Sequence, residues 1–299
     1  MYEHIFGIVP PMTTPFRADN TIDEDALRLE IRYMVEQAKV HGVAVCGSTG
    51  EGHTLTTEET RRITQVVVKE AQGRIPVITG IITDSTASAI ERGNAVKDLG
   101  VAALQVTPPH YLFKPDDDAM LRHFEALAKG TGLPVMIYNV VPWAYLQPQL
   151  LTRIIDNVEG VIGVKQSAGD MKLLADLIIL LGNRGRIMSA VDALMYPSFV
   201  LGAHGAIAAI LSAVPALYVD LWNLVQAGNY KQALVLHEKL LVLWNALGAG
   251  ENGNNLPANT KAAQALLGRK SGLPRPPMPV SSPAQTAAIR EALQGAGLL

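Results

Sequence analysis

Short, nearly continuous apolar runs recur along the chain, at Gly7–Val9, Val43–Cys46, Val77–Ile81, Ala103–Val106 and Val135–Asn139. Three more follow at Val161–Lys165, Ile187–Ala190 and Ala206–Ile210. Runs of this kind predict parallel strands buried on both faces. Between them the apolar positions recur at helical spacing. Thr21-Ile22-Asp23-Glu24 reads as a capping box, after which Leu27, Ile31, Met34, Val35 and Ala38 share one face. Thr56 to Glu59 repeats that signal ahead of Ile63, Val66 and Val67. Strand–helix alternation repeated eight times predicts an α/β protein, either a closed (β/α)8 TIM barrel or a large doubly wound sheet. No G-x-G-x-x-G turn follows an early strand, which removes the main support for a dinucleotide-binding open sheet. The barrel is the preferred reading.

Beyond the eighth run the pattern becomes helical only, over 217–227, 229–247, 258–267 and 283–294. Gly228 and the polar run Gly248–Asn255 separate the first three segments, and the Pro-rich stretch Leu273–Pro279 precedes the last. Residues 1–215 are therefore expected to form the barrel core. Residues 216–299 are expected to be a helical extension packed on its side, within one structural domain. A separate small helical domain is the alternative.

Composition narrows the class. Of 299 residues, 48% are hydrophobic and only 17% charged, which suits a compact enzyme rather than a disordered or coiled-coil chain. Twenty-five basic against 27 acidic residues, with no basic stripe, argue against a nucleic-acid partner. The single cysteine, Cys46, rules out an internal disulfide and fits a reducing compartment. Met1–Phe16 lacks a basic stretch followed by an apolar core, and the apolar stretch Ala206–Val219 is too short to span a bilayer. A soluble, cytoplasmic protein with no membrane partner is expected.

In a barrel the chemistry gathers at the carboxyl ends of the strands. Lys165 closes the run Val161-Ile-Gly-Val-Lys165 and would place its amine in the barrel mouth. A low dielectric there favours the neutral amine that can attack a carbonyl. Position alone favours a strand-end lysine reaching out to solvent. Tyr138 ends the preceding run, and neighbouring strands lie about 4.8 Å apart, so both groups could reach one carbonyl. The phenol could shuttle protons, or simply cap the core. Gly47-Ser48-Thr49-Gly50-Glu51-Gly52 could hold a small carboxylate with its hydroxyls and amides, or be an ordinary strand–helix turn. Glu51 reads as a hydrogen-bonding scaffold. In Thr107-Pro-Pro-His-Tyr111, Tyr111 could project across a subunit boundary or be an exposed loop aromatic. The histidines show no metal-ligand spacing, and His41, His53 and His204 read as structural or solvated. Cys46 reads as a small buried hydrophobe.

Taken together, Gly47-Ser-Thr-Gly-Glu51, Val106-Thr-Pro108, Tyr138-Asn139, Gly163-Val-Lys165 and Leu201-Gly-Ala-His-Gly205 resemble the dihydrodipicolinate synthase / N-acetylneuraminate lyase family, in family order and near family spacing. The resemblance covers almost the whole chain. It implies a (β/α)8 barrel with appended helices, a homotetramer built from tight dimers, and no metal or organic cofactor. It implies that Lys165 forms a Schiff base with pyruvate or another 2-oxo acid and that Tyr138 is the acid/base. Ser48, Thr49 and Gly50 would bind the carboxylate, with Thr49 in a proton relay completed by Tyr111 from a neighbouring subunit. Ile207 would add a backbone contact.

The departures concern the second substrate. The synthases carry an arginine shortly after the Tyr-Asn strand, where this chain reads Val140-Val-Pro-Trp-Ala-Tyr145. Losing a bidentate carboxylate clamp is not neutral, and Trp143 would make the pocket bulkier and more apolar. The Pro108–Pro115 loop is about two residues longer than in the synthases, judged against the short loops usual between strand and helix. Ser189-Ala-Val-Asp192 stands in place of their Gly-Asp pattern. The expectation is a carbon–carbon or carbon–oxygen lyase acting by aldol cleavage, condensation or dehydration on a 2-oxo (sugar) acid. The alternatives are 4-hydroxy-tetrahydrodipicolinate synthase activity and a non-catalytic 2-oxo-acid-binding regulator.

Overall fold

The computed structural model describes residues 3–248 and 255–299. Met1 and Tyr2, which open the stretch read for a leader, and residues 249–254 of the polar run Gly248–Asn255 lie outside the described residues. Eight strands run parallel: β1 Gly7–Ile8, β2 Val43–Val45, β3 Val77–Ile81, β4 Ala103–Val106, β5 Val135–Asn139, β6 Val161–Gln166, β7 Arg186–Ser189 and β8 Gly205–Ala206. From β2 to β8 each pairs with the next in chain order, and β8 pairs with β1. The ring is completed just beyond β1, where Ala44 N–H donates to Pro10 O (3.0 Å) and Met12 N–H donates to Ala44 O (2.8 Å). This is the (β/α)8 TIM barrel with additional C-terminal helices.

The helices that follow the first seven strands are α1 Glu24–Glu36, α2 Thr57–Ala71, α3 Thr86–Asn94, α4 Asp117–Thr131, α5 Pro148–Asn157, α6 Met171–Leu181 and α7 Met195–Val200. The predicted capping box at Thr56–Glu59 is present in full, with Glu59 N–H donating to Thr56 Oγ1 and Thr56 N–H donating to the Glu59 carboxylate. The one predicted at Thr21 is not. There Asp23 caps α1 by accepting from Ala26 N–H, while Thr21 bonds to Asp19. A carboxylate in the cap position two residues later outcompetes the threonine.

The apolar residues divide by face. Ile5, Val9, Ala44, Ile78, Ala103, Met136, Ile162, Met188 and Ile207 fill the barrel interior. Leu104, Val106, Ile137, Val164 and Ile187 face outward onto Leu127, Leu151, Ile154 and Leu177 of α4–α6. Full burial of each such side chain stabilises the fold by about 1.5–3 kcal/mol.

The run predicted as a strand over Ala206–Ile210 is a strand only to Ala206, and Ile210–Ala213 is a helical turn, α8. The chain must leave the barrel here, and Asp192 receives the freed Ile210 N–H at 2.7 Å. Four helices follow: α9 Pro215–Gln226, α10 Tyr230–Gly248, α11 Leu256–Leu266 and α12 Pro283–Gly295. Tyr218, Leu221, Leu240, Leu243, Ile289 and Leu293 from these helices share one apolar cluster with Ile8, Phe199 and Ala206.

Candidate active site

Along β5 the faces alternate regularly. Met136 lies in the interior cluster, and Tyr138, two residues on, points the same way at the carboxyl end. β6 does not alternate. Its register against β5 slips between Val135↔Val161 and Met136↔Gly163, a bulge that leaves one extra residue on β6. Ile162 faces inward and Val164 outward, so the bulge resets the parity and brings Lys165 inward, opposite Tyr138. Unbroken alternation from Ile162 would have sent Lys165 to the helix layer. Gly163 permits the bulge, because a Cβ there would lie 2.1 Å from Arg186 O.

Lys165 is 3% exposed, and its Nζ lies 3.7 Å from the centroid of the Tyr138 ring. Among the described residues its amine enters no salt bridge. The Tyr138 hydroxyl donates to Ser48 Oγ at 3.3 Å, linking the two strand ends to the glycine-rich turn. That turn reverses sharply after β2, with Cys46 and Glu51 both left-handed (φ 58° and 56°). Gly52 packs directly onto the strand end, since a Cβ there would meet Cys46 O at 1.9 Å. Glu51 N–H donates to Ser48 O and Gly52 N–H to Gly47 O, which closes the loop around Ser48 and Thr49.

These groups line one cavity of about 540 Å³ with Val140, Ser167, Ala190, Asp192, Ile207, Ala208 and Ala209. Glu51 and His53 complete its turn side, and Leu256, Pro257 and Met278 from the C-terminal segment cover it. Lys165, Tyr138, Ser48, Thr49 and Ile207 are thus brought together. Gly50, Tyr111 and Trp143 are not part of the lining. Gly50 is buried in the turn, where its carbonyl accepts from Thr14 Oγ1 at 2.7 Å. Trp143 is 65% exposed, and its indole N–H donates to His110 O, so it does not fill the pocket of its own chain. Its segment is pulled outward because Asn139 bonds both the N–H and the carbonyl of Leu146. Tyr111, Leu112 and Phe113 project outward beside it, on a loop pinned by Asp84 through the N–H groups of His110 and Tyr111.

Asp192, noted in the sequence only as the end of the Ser189–Asp192 departure, was not among the expected site residues. It is buried in the cavity wall, and burial pushes its carboxyl up to about 6, against the pull of the Ile210 amide and the Lys165 charge. Besides that departure, a signal was its position three residues past the end of β7, at the functional end of the barrel. Glu51, expected as a scaffold, is 1% exposed and salt-bridged to Lys261 at 2.5 Å. Cys46 is buried, and burial pushes its thiol up to about 12. His41 and His204 each accept a backbone N–H, from Ile8 and Ile187, and burial lowers both below the usual imidazole range. His53 stands exposed at the cavity edge.

A family model described as the dihydrodipicolinate synthetase family matches residues 4–296. A 4-hydroxy-tetrahydrodipicolinate synthase of Methanopyrus kandleri is 33% identical over 298 residues, 99% of this chain and 97% of that one. Among solved structures, a prophage protein of the dihydrodipicolinic acid synthase family from E. coli K12, in complex with pyruvate, superposes with a TM-score of 0.91. It is 26% identical and the match covers 99% of each chain. An N-acetylneuraminate lyase from Fusobacterium nucleatum gives a TM-score of 0.88 at 27% identity, covering 97% of this chain and 98% of that one. Among the described residues no helix is long and apolar enough to cross a membrane.

Proposed function

The chain belongs to the dihydrodipicolinate synthetase family of class I aldolase-type lyases, and from that premise we propose that Lys165 forms an imine with pyruvate or a related 2-oxo acid. The observation that carries this reading is the buried Lys165 amine set against Tyr138, whose hydroxyl is tied to Ser48 in the same cavity. Nζ attacks the keto carbon, a C–N bond forms, and the carbonyl oxygen takes protons through Tyr138 and leaves as water. In cleavage the hydroxyl two carbons from the protonated imine gives up its proton through Tyr138, the C–C bond between them breaks, an aldehyde leaves and the electron pair stays as an enamine. Condensation runs the same steps in reverse. In dehydration the carbon beside the imine loses a proton to give the enamine, whose electron pair expels the hydroxyl of the next carbon as water.

Ser48 and Thr49 are assigned to the substrate carboxylate, with Gly50 shaping the turn that presents them. Ile207 N–H is already donated to Ser189 O, so a backbone contact from this residue to substrate falls to its carbonyl. Tyr111 is assigned to a neighbouring copy's proton relay. The exposed aromatic rim of Tyr111, Phe113 and Trp143 supports burial between subunits of a homotetramer, where Trp143 would meet substrate or subunit rather than its own cavity. Residues 1–215 and 216–299 are assigned to one structural domain in a cytoplasmic enzyme.

Borohydride reduction in the presence of pyruvate tests the central step. A covalent adduct on the Lys165 peptide is expected, and an unmodified peptide sinks the reading. Ligand-induced stabilisation that survives Lys165→Ala, without turnover, would favour a binding protein instead. A second reading, condensation of pyruvate with aspartate semialdehyde, is favoured by the name of the Methanopyrus relative. Among the described residues the cavity lining presents no arginine to a second carboxylate, and a coupled assay with that aldehyde decides between the two.

A further inference from the structure

Glu51 and Lys261 are separated by 210 residues of sequence, yet Nζ and Oε1 lie 2.5 Å apart with both side chains almost fully buried. Lys261 donates a second bond to Leu273 O at 2.6 Å. The other Glu51 oxygen accepts the Arg275 N–H at 2.7 Å. The carboxylate is therefore gripped from α11 and from the segment after it. Glu51 is also the left-handed residue whose N–H closes the turn onto Ser48 O, and its side chain lines the cavity. One residue thus joins the C-terminal extension to the hydroxyls beside Lys165.

A buried ion pair is a poor way to gain stability, because an apolar pair of similar volume does as well or better. It does fix geometry, and groups that receive a substrate carboxylate need placement to within about 0.5 Å. We propose that Lys261 is a positioning residue for the 2-oxo-acid carboxylate. Acting through Glu51, it holds Ser48 and Thr49 in register with Lys165, so that α11 and residues 268–278 work as part of the active site. This rests on the imine-forming reading above.

The test compares wild type, the apolar double variant Glu51→Met/Lys261→Met, and Glu51→Gln. Each is followed by thermal unfolding and by borohydride trapping on Lys165 over a range of pyruvate concentrations. The double variant is expected to unfold at or above the wild-type midpoint, while its half-saturating pyruvate concentration rises about tenfold or more. A folded double variant with a smaller rise overturns the proposal. Should it fail to fold, Glu51→Gln decides alone, since an amide oxygen still accepts from Lys261 but without charge. A rise of about threefold or more is then expected, and wild-type half-saturation overturns the proposal. No adduct in the wild type overturns the functional reading and this inference together. A wild-type adduct with unmoved variants overturns only the inference.

Discussion

Two lysines are buried in this barrel to nearly the same degree, Lys165 at 3% exposure and Lys261 at 2%. Lys261 has a carboxylate at 2.5 Å and a carbonyl at 2.6 Å. Lys165 has the face of a tyrosine ring and a more distant carboxyl, Asp192, and its amine opens on a cavity. The Lys261 amine is occupied by two oxygens and points at no open space, although burial lowers it below the usual lysine range. The Lys165 amine, left with an aromatic face and open space, is the one that a bound carbonyl could reach under the proposed function. Burial alone therefore does not separate the two lysines; what each amine faces among the described residues does.

The comparison can be broken at four points. Lys165→Met is expected to abolish the borohydride adduct and lower turnover by about 10⁴-fold or more, while thermal stability holds or rises. Measurable trapping in that variant would move the nucleophile elsewhere. Lys261→Met should do the opposite. It leaves the Glu51 charge uncompensated in the interior and costs about 3–5 kcal/mol of stability, read from denaturant unfolding. A loss below about 1 kcal/mol would mean that Glu51 finds another partner, with Arg275 the nearest candidate.

Tyr138→Phe keeps the ring under Lys165 and removes the hydroxyl bonded to Ser48. Turnover should fall about 10²–10³-fold with the adduct still formed at long times, and full activity would remove Tyr138 from proton transfer. The smallest expected effect is at Asp192. Its folded value of about 6 lies above the ordinary 3.8, so between those values the folded chain holds more protons than the unfolded. Stability is therefore lost as pH rises from about 4 to about 6, by up to about 3 kcal/mol, and does not return above that range. Asp192→Asn should raise the unfolding midpoint at pH 7 and not at pH 4. Equal gains at both pH values would show that burial of the charge is not the cost.

The strand runs and the helices between them were legible because each obeys a local rule: apolar continuity in doubly buried strands, and a repeating face in the helices. Errors fell where local signals compete or the chain changes direction, as at Thr21 against Asp23 and at the exit from β8. At the site, Tyr138, Ser48, Thr49 and Lys165 stood out as candidates by their places at or just after strand ends, and it was the resemblance of the ordered motifs, not position, that selected them. Trp143 could not be placed, because its direction depends on how Asn139 holds Leu146, a contact between side chain and loop. Leu256, Pro257 and Met278 carry no local mark of a substrate cavity at all.

The sequence by itself determined the order of strands and helices and the residue types waiting at the barrel mouth, since both follow from periodicity and topology. Tertiary structure alone decided which way Lys165 points, through a one-residue bulge at Ile162–Gly163 that no alternation pattern announces. It also decided that Asp192 enters the cavity and that Lys261 meets Glu51 across 210 residues. The physical reason is common to all three. Parity, burial and charge pairing are properties of what lies opposite a residue, and in this fold the opposite residue is distant in the chain.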